Sequence, residues 1–251
     1  MDNTSSQPAE IQETESSSEI PQLNPEPKVQ GKPESYSMMD PKMRRIFGQS
    51  ASAFRFREAI PLLERSIKEG KETAEVLMLL TSAYAYAGQL GKAQATADRA
   101  VRLFPNDPGS YITLANGYRL QAAYEEAARA LMLAAELEPD QPIIWSELGF
   151  VQRFAGDLTA ALQSFRKAAL YAMPAMYGVR VYYHLAQQFL AEGDPKQAVS
   201  ATAKMMSARD GLATWQSGLN ALEGTAYGQA LAREIAAIQA AIAEADSGTL
   251  G

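Results

Sequence analysis

The sequence predicts an all-α solenoid, built from about five stacked helix-turn-helix repeats. The main observation is a period of 34 residues, which is typical of arrays of helix pairs. The positions that share this spacing are Ala59, Ala93, Ala127 and Ala161; Leu80, Leu114 and Leu148; Ala100, Ala134 and Ala168; and Pro105 and Pro139. The second observation is that small and large apolar residues alternate within each period at helical spacing. A solenoid of this kind presents an extended concave surface, which suits binding better than chemistry.

Five repeats can be placed along the chain, beginning at the Asp40-Pro41 pair. Aspartate is a favourable N-cap, and proline is well tolerated at the first helical position. The predicted repeats span 40–73, 74–107, 108–141, 142–178 and 179–212. The fourth repeat is longer, and we expect Pro174 and Gly178 to break the helix before the next one begins. We also expect Gly88, Gly156 and Gly193 to supply the turns between paired helices.

The C-terminal region, residues 213–246, is predicted to form a pair of capping helices, followed by a flexible end at 247–251. The last helix carries an apolar stripe of Leu231, Ile235, Ile238 and Ile242, at helical spacing. Its other face is predicted to be polar or small, and Glu234 is assigned to it together with Gln229, Arg233 and Gln239. Because the last repeat of an array exposes an apolar face, a covering helix is expected there.

Residues 1–39 differ from the remainder in composition. They are rich in Ser, Glu, Pro and Gln, and seven acidic residues oppose two lysines, so this segment carries −5 of the formal net charge of −6. Such a segment cannot bury enough apolar surface to offset its ordering entropy, so we expect a disordered acidic tail. A solubilising spacer and a short docking peptide are both compatible with this composition.

Composition also excludes several classes of function. The chain has 251 residues, of which 47% are hydrophobic, no cysteine and one histidine. A disulfide framework is therefore excluded, and a structural zinc site is not expected. The mildly acidic balance disfavours general nucleic-acid binding. The beginning of the chain lacks a basic segment followed by an apolar run, and no long apolar stretch occurs. We therefore expect a cytoplasmic protein without a membrane span.

The residues at the repeat positions resemble the tetratricopeptide-repeat (TPR) family. Its pattern is an aromatic residue, Leu-Gly, Tyr, Ala, Phe, Ala and Pro. The fourth repeat carries Trp145, Leu148-Gly149, Ala161, Phe165 and Ala168, and the second and third match it at Leu80, Tyr84, Ala93, Ala100, Pro105, Tyr111, Leu114, Tyr118, Ala127, Ala134 and Pro139. The resemblance implies a right-handed solenoid whose first helices line a concave groove that binds protein partners.

Helical phase along each first helix identifies candidate partner-binding residues in this groove. They are Met78, Ser82, Tyr86, Ile112, Asn116, Arg119, Phe150, Arg153, Arg180, Tyr183 and His184. Arg119 and Arg153 occupy equivalent positions, so they are expected to form a short ladder that suits an acidic peptide or helix. The alternative is that these arginines pair with acids of the helices themselves, such as Glu147.

No arrangement in the sequence predicts catalysis or a bound cofactor. His184 is the sole histidine, and phosphate-binding loops and carboxylate clusters at metal-ligand spacing are absent from the sequence. We therefore expect a non-enzymatic adaptor that binds one or more proteins through an extended peptide or a helix. A close alternative is an assembly or secretion chaperone that shields an apolar segment of a client. A regulator of a larger machine and a self-associating structural protein remain open.

Overall fold

The computed structural model describes residues 53–219 and 222–247, which form eleven α-helices and one short 3-10 helix. The predicted acidic tail, the first part of the first repeat and almost all of the predicted flexible end lie outside the described residues. The helices are α1 Ala53–Lys68, α2 Ala74–Tyr86, α3 Leu90–Leu103, α4 Pro108–Leu120, α5 Tyr124–Leu137, α6 Pro142–Ala155, α7 Leu158–Ala168, α8 Ala175–Ala191, α9 Pro195–Ser207, α10 Leu212–Leu219 and α11 Ala226–Asp246; the 3-10 helix is Arg209–Gly211.

Helices α2 to α9 form four successive pairs, and each pair packs against its neighbours along the chain. The first helices of the pairs are α2, α4, α6 and α8. This is the all-α solenoid that the 34-residue period predicts. None of the described helices is long and apolar enough to cross a bilayer.

Short turns and side-chain caps set where the paired helices begin and end. Gly156 ends α6 with φ 91°, a left-handed conformation that glycine adopts without a steric cost. Asp157 then caps α7, because its side chain accepts a hydrogen bond from the backbone N–H of Ala160. In the third repeat, the position equivalent to the turn glycine is held by Ala122, with φ 58°.

The break predicted around Pro174 and Gly178 differs in detail from the structure. Helix α8 begins at Ala175, directly after Pro174, and Gly178 lies inside the helix. A Cβ at Gly178 would lie 3.3 Å from the Cβ of Ala208. The glycine therefore allows α8 to approach the end of α9 closely, which is a packing role rather than a helix-breaking one.

Small residues in the repeats occupy the places where helices cross. Ala93, Ala127 and Ala161 are all at most 2% exposed. Gly149 lies beneath the ring of Phe165, and a Cβ there would approach the ring to 2.5 Å. The periodic alanines and this glycine thus set the spacing between the helices, as close packing of an interior requires.

The C-terminal helices do more than cover the last repeat. Helix α11 packs against α8, α9 and α10, but its first turn reaches much farther back along the array. Tyr227 of α11 contacts Arg119 of α4 and Phe154 of α6. Helix α11 therefore lies along the first helices, inside the concave surface. Leu231, Ile235 and Ile238 of its predicted apolar stripe are buried, while the position in which the helix docks depends on contacts distant in sequence.

Candidate functional site

The eleven candidate residues of the concave groove lie on four first helices. Helix α2 carries Met78, Ser82 and Tyr86; α4 carries Ile112, Asn116 and Arg119; α6 carries Phe150 and Arg153; and α8 carries Arg180, Tyr183 and His184. Helix α11 divides this surface into two parts. We call the part contacted by α11 the occupied half, and the part on α2 and on α4 as far as Asn116 the open half.

Arg180 is the centre of the occupied half. Its side chain is fully buried, and its guanidinium carbon lies 3.6 Å from the ring centroid of Phe150 and 4.3 Å from that of Trp215. Its Nε and Nη2 atoms donate hydrogen bonds of 2.6 and 3.3 Å to the two carboxylate oxygens of Glu234. Two aromatic faces and a bidentate carboxylate hold this cation in one orientation.

The assignment of Glu234 to the polar face of the last helix was wrong. Its side chain is 3% exposed and points into the groove. Burial acts to raise its pKa, but the charge of Arg180 and the adjacent imidazole of His184 outweigh burial and hold the pKa well below the usual range. Glu234 is therefore ionised in the folded chain. The sequence did contain an indication of this burial. Glu234 lies three residues after Leu231 and four before Ile238, so it shares the helix face of these apolar residues.

His184 is a buried aromatic neighbour of the same carboxylate. Its ring stacks on Phe165 with centroids 5.2 Å apart, and its Nε2 atom lies 3.3 Å from Oε1 of Glu234. Burial lowers the pKa of His184, and the nearby cations Arg153 and Arg180 act in the same direction against the pull of Glu234. A neutral imidazole is thus favoured at neutral pH.

Arg119 forms a second polar centre, two repeats nearer the N-terminal end of the array than Arg180. Its Nη1 atom donates to Glu147 at 3.1 Å and to the hydroxyl of Tyr227 at 2.8 Å, and its Nη2 atom donates to Asn116 at 2.8 Å. Its guanidinium also lies 4.6 Å from the ring centroid of Tyr227. The pairing with Glu147 is the alternative that the sequence left open.

Arg153 has a different environment, so the two arginines do not form an equivalent ladder. It lines a surface pocket together with Phe154 of α6, Tyr183 of α8 and Ala230, Arg233, Glu234 and Ala237 of α11. Within the described part of the chain, no carboxylate lies within ion-pairing distance of Arg153. Arg119 and Arg153 occupy equivalent positions in their repeats. Helix α11 covers Arg119, whereas it lies beside Arg153 and forms one wall of the pocket there.

The open half combines apolar and small polar groups. Met78, Ser82, Ile112 and Asn116 are all half-buried. The hydroxyl of Ser82 donates to the backbone carbonyl of Met78, at 3.1 Å. A pocket lies where this region meets the C-terminal helices. It is lined by Thr81, Ser82, Tyr86, Asn116, Arg119, Leu120, Trp215, Leu222 and Tyr227.

Three groove residues escaped the sequence-based assignment because they lie in the C-terminal region. They are Trp215, Tyr227 and Glu234, and each contacts an arginine of a first helix. The 34-residue period identifies positions within the repeats, whereas these three residues lie beyond the last repeat. In the described residues, no group of three His, Cys, Asp or Glu side chains is arranged to hold a metal ion. The arrangement is suited to recognising a helix through shape, aromatic faces and charge.

Comparisons with known proteins agree with this architecture. No protein-family model matches the chain. The crystal structure of MamA is 21% identical in sequence, with a TM-score of 0.51 over 70% of this chain and 98% of that protein. The thermophilic TPR protein TTC0263 of Thermus thermophilus is 24% identical, with a TM-score of 0.50 over 66% of this chain and 91% of that one.

Among curated proteins, the human protein O-mannosyl-transferase TMTC1 is 27% identical over 116 residues. The match covers 45% of this chain and only 13% of TMTC1. It therefore concerns a small part of that much longer protein. The repeat motif, the paired helices and the likeness to solved structures together show that this chain has the sequence pattern and the fold of a tetratricopeptide-repeat protein.

Proposed function

We propose that this chain is a non-catalytic scaffold that binds a protein partner in its concave groove. The observation that supports it best is the seating of α11, because a helix already lies on the first helices through matched apolar, aromatic and charged contacts. Leu231, Ile235 and Ile238 of α11 are at most 3% exposed. A surface that binds one helix so completely has the chemistry to bind a peptide or helix of another protein.

The open half supplies the partner contacts that α11 leaves uncovered. Met78 and Ile112 offer apolar surface, and Ser82 and Asn116 offer hydrogen-bonding groups. Arg153 and Tyr183 extend this surface along the other side of α11. A partner that lies across the open half would contact side chains from at least two repeats, which is how a solenoid binds an extended segment.

A photo-crosslinking residue placed at Ser82 tests this proposal in the native lysate. The matched control carries the same residue at Val199 of α9, which is 69% exposed and belongs to a second helix. We expect a discrete crosslinked protein from position 82 that is missing from position 199. Identical crosslinking patterns from both positions would contradict binding in the groove.

A chaperone is the second candidate, and the burial of the α11 stripe favours it. The groove removes three aliphatic side chains of one helix from water, which is what an apolar segment of a client requires. Crosslinking first identifies the partner. Native mass spectrometry of the non-covalent complex between the chain and that partner, prepared without irradiation, then distinguishes the two functions. A scaffold is expected to hold two different proteins at once, whereas a chaperone holds one client and releases it on assembly.

A further inference from the structure

We propose that α11 is a resident ligand of the occupied half, and that the partner recognised there is an amphipathic helix carrying one carboxylate within an apolar stripe. Such a helix would displace α11 from Arg180. This inference rests on the proposed function, because it assumes that the groove binds proteins. It goes further by naming the chemistry of the partner and the segment that competes with it.

The contacts of α11 define the features that the occupied half recognises. Tyr227, Leu231, Glu234 and Ile238 follow one another at intervals of three or four residues, so they share one face of the helix. Tyr227 meets Arg119, and Glu234 meets Arg180 and His184. Between and beyond these polar contacts, the aliphatic side chains enter the same apolar cluster as Phe150. Arg119 and Arg180 thus bind a phenol and a carboxylate that lie about two helical turns apart on α11.

The resident helix leaves part of this recognition surface unsatisfied. Nη1 of Arg180 and Nε of Arg119 are buried donors with no hydrogen-bond acceptor among the described residues. Arg180 is fully buried, and its aromatic neighbours supply no oxygen in the plane of the guanidinium. A buried guanidinium N–H without an acceptor is unfavourable. A ligand that offers one more carboxylate or carbonyl oxygen to either arginine would therefore bind better than α11 does.

These free donors favour a different protein over a second copy of this chain as the occupant. A second copy would bring an α11 with the same side chains, and it would leave the same two donors unsatisfied. It would also compete with a tethered helix, whose effective concentration is of the order of millimolar for a short connection. A partner helix with an additional acceptor overcomes this competition, because each hydrogen bond to a charged group adds affinity.

The experiment measures binding of a fluorescein-labelled synthetic peptide of residues 225–247 to the full chain by fluorescence anisotropy. The chain is compared as wild type, as Glu234→Lys, which places a second cation against Arg180 and releases α11, and as Glu223→Lys. The last variant makes the same charge change at an exposed position between α10 and α11. We expect the Glu234→Lys chain to bind the peptide at least about tenfold more tightly than the other two.

A peptide that itself carries Glu234→Gln serves as the ligand control. We expect it to bind the Glu234→Lys chain about tenfold more weakly than the native peptide, because a neutral amide replaces the carboxylate that Arg180 reads. Equal affinity for the three chains, or for the two peptides, would overturn the proposal. Neither result bears on a crosslink at Ser82, so failure of this inference is distinguishable from failure of the proposed function.

Hydrogen exchange provides a second measurement if the Glu234→Lys chain loses its helical circular dichroism. Wild-type chain with unlabelled peptide at a concentration above the effective concentration of the tethered helix is expected to exchange the amides of α11 several times faster, while those of α4 to α7 keep their rates. Unchanged exchange in α11 would overturn the proposal. A concentration-dependent dimer of the wild-type chain in light scattering would overturn the assignment to a different protein and make a second copy the occupant.

Discussion

Glu234 and Arg180 lie 54 residues apart in the sequence, yet they form a buried bidentate ion pair with N···O distances of 2.6 and 3.3 Å. The pair joins α11 to the inside of the solenoid. Its cation lies against the rings of both Phe150 and Trp215. Removing either partner would leave an uncompensated charge in the interior, so this pair is a strong determinant of where the last helix lies.

Replacing Glu234 with alanine is expected to destabilise the chain strongly. Loss of one partner from a buried ion pair costs about 3–5 kcal/mol, because the remaining charge stays desolvated. Urea unfolding followed by circular dichroism measures the change in the free energy of unfolding. Glu223→Ala removes an exposed carboxylate nearby and should change it by less than about 0.5 kcal/mol. Equal effects of the two substitutions would show that the buried pair contributes no more than a surface charge.

The stability of the chain is expected to fall as the pH falls below neutrality. Burial lowers the pKa of His184 from its ordinary 6.5, so the unfolded chain binds more protons there, and this contribution is complete above pH 6.5 and lost below it. The pKa of Glu234 is also lowered, from 4.5, which adds a further loss below pH 4.5. One proton accounts for at most about 1.4 kcal/mol per pH unit.

The variant His184→Gln isolates the histidine contribution to this pH dependence. Its free energy of unfolding should change less between pH 7 and pH 5 than that of the wild type, while the loss below pH 4.5 remains. Urea titrations at a series of pH values measure both slopes. If the variant and the wild type have the same slope between pH 7 and pH 5, His184 is not the titrating group.

Removing the hydroxyl of Tyr227 is expected to weaken the seating of the first turn of α11. Tyr227→Phe deletes the oxygen that accepts a hydrogen bond of 2.8 Å from Arg119. Hydrogen bonds to charged groups contribute about 1.5–3 kcal/mol, and the loss should raise the exchange rates of amides near residue 227. The control is Tyr171→Phe, which removes an exposed hydroxyl that donates to Asp140 at 2.7 Å. Comparable exchange in both variants would contradict a role of Tyr227 in holding α11.

Adding a methyl group beneath Phe165 is expected to disturb the fourth repeat. In Gly149→Ala, the new Cβ would lie 2.5 Å from the ring, and overpacking of this kind costs about 1–3 kcal/mol. Gly91→Ala is the control, since its Cβ meets no atom within 4 Å. Gly91 is the second residue of α3, and alanine there should gain at most about 0.5–1 kcal/mol, the value for a helix interior, because alanine favours the helix. Thermal unfolding of both variants should therefore shift in opposite directions, and a shift of Gly149→Ala to higher temperature would contradict the close contact.

Residue patterns alone identified most of the repeat architecture. The period of alanines and leucines, together with turn residues such as Gly156, predicted paired helices, and α2 to α9 form such pairs. These features are local or repeat along the chain, so periodicity is enough to detect them. The helical phase also placed Arg119, Phe150 and Arg180 together on first helices.

The sequence by itself determined that this chain forms a solenoid of helix pairs, because a period of 34 residues allows each pair to bury its apolar faces against the next. Only the tertiary structure decided that α11 lies in the groove, where Arg180 pairs with Glu234 and Arg119 donates a hydrogen bond to Tyr227. These contacts join residues 54 and 108 positions apart. They depend on the curvature of the stacked repeats and on complementary charge, which no local pattern records.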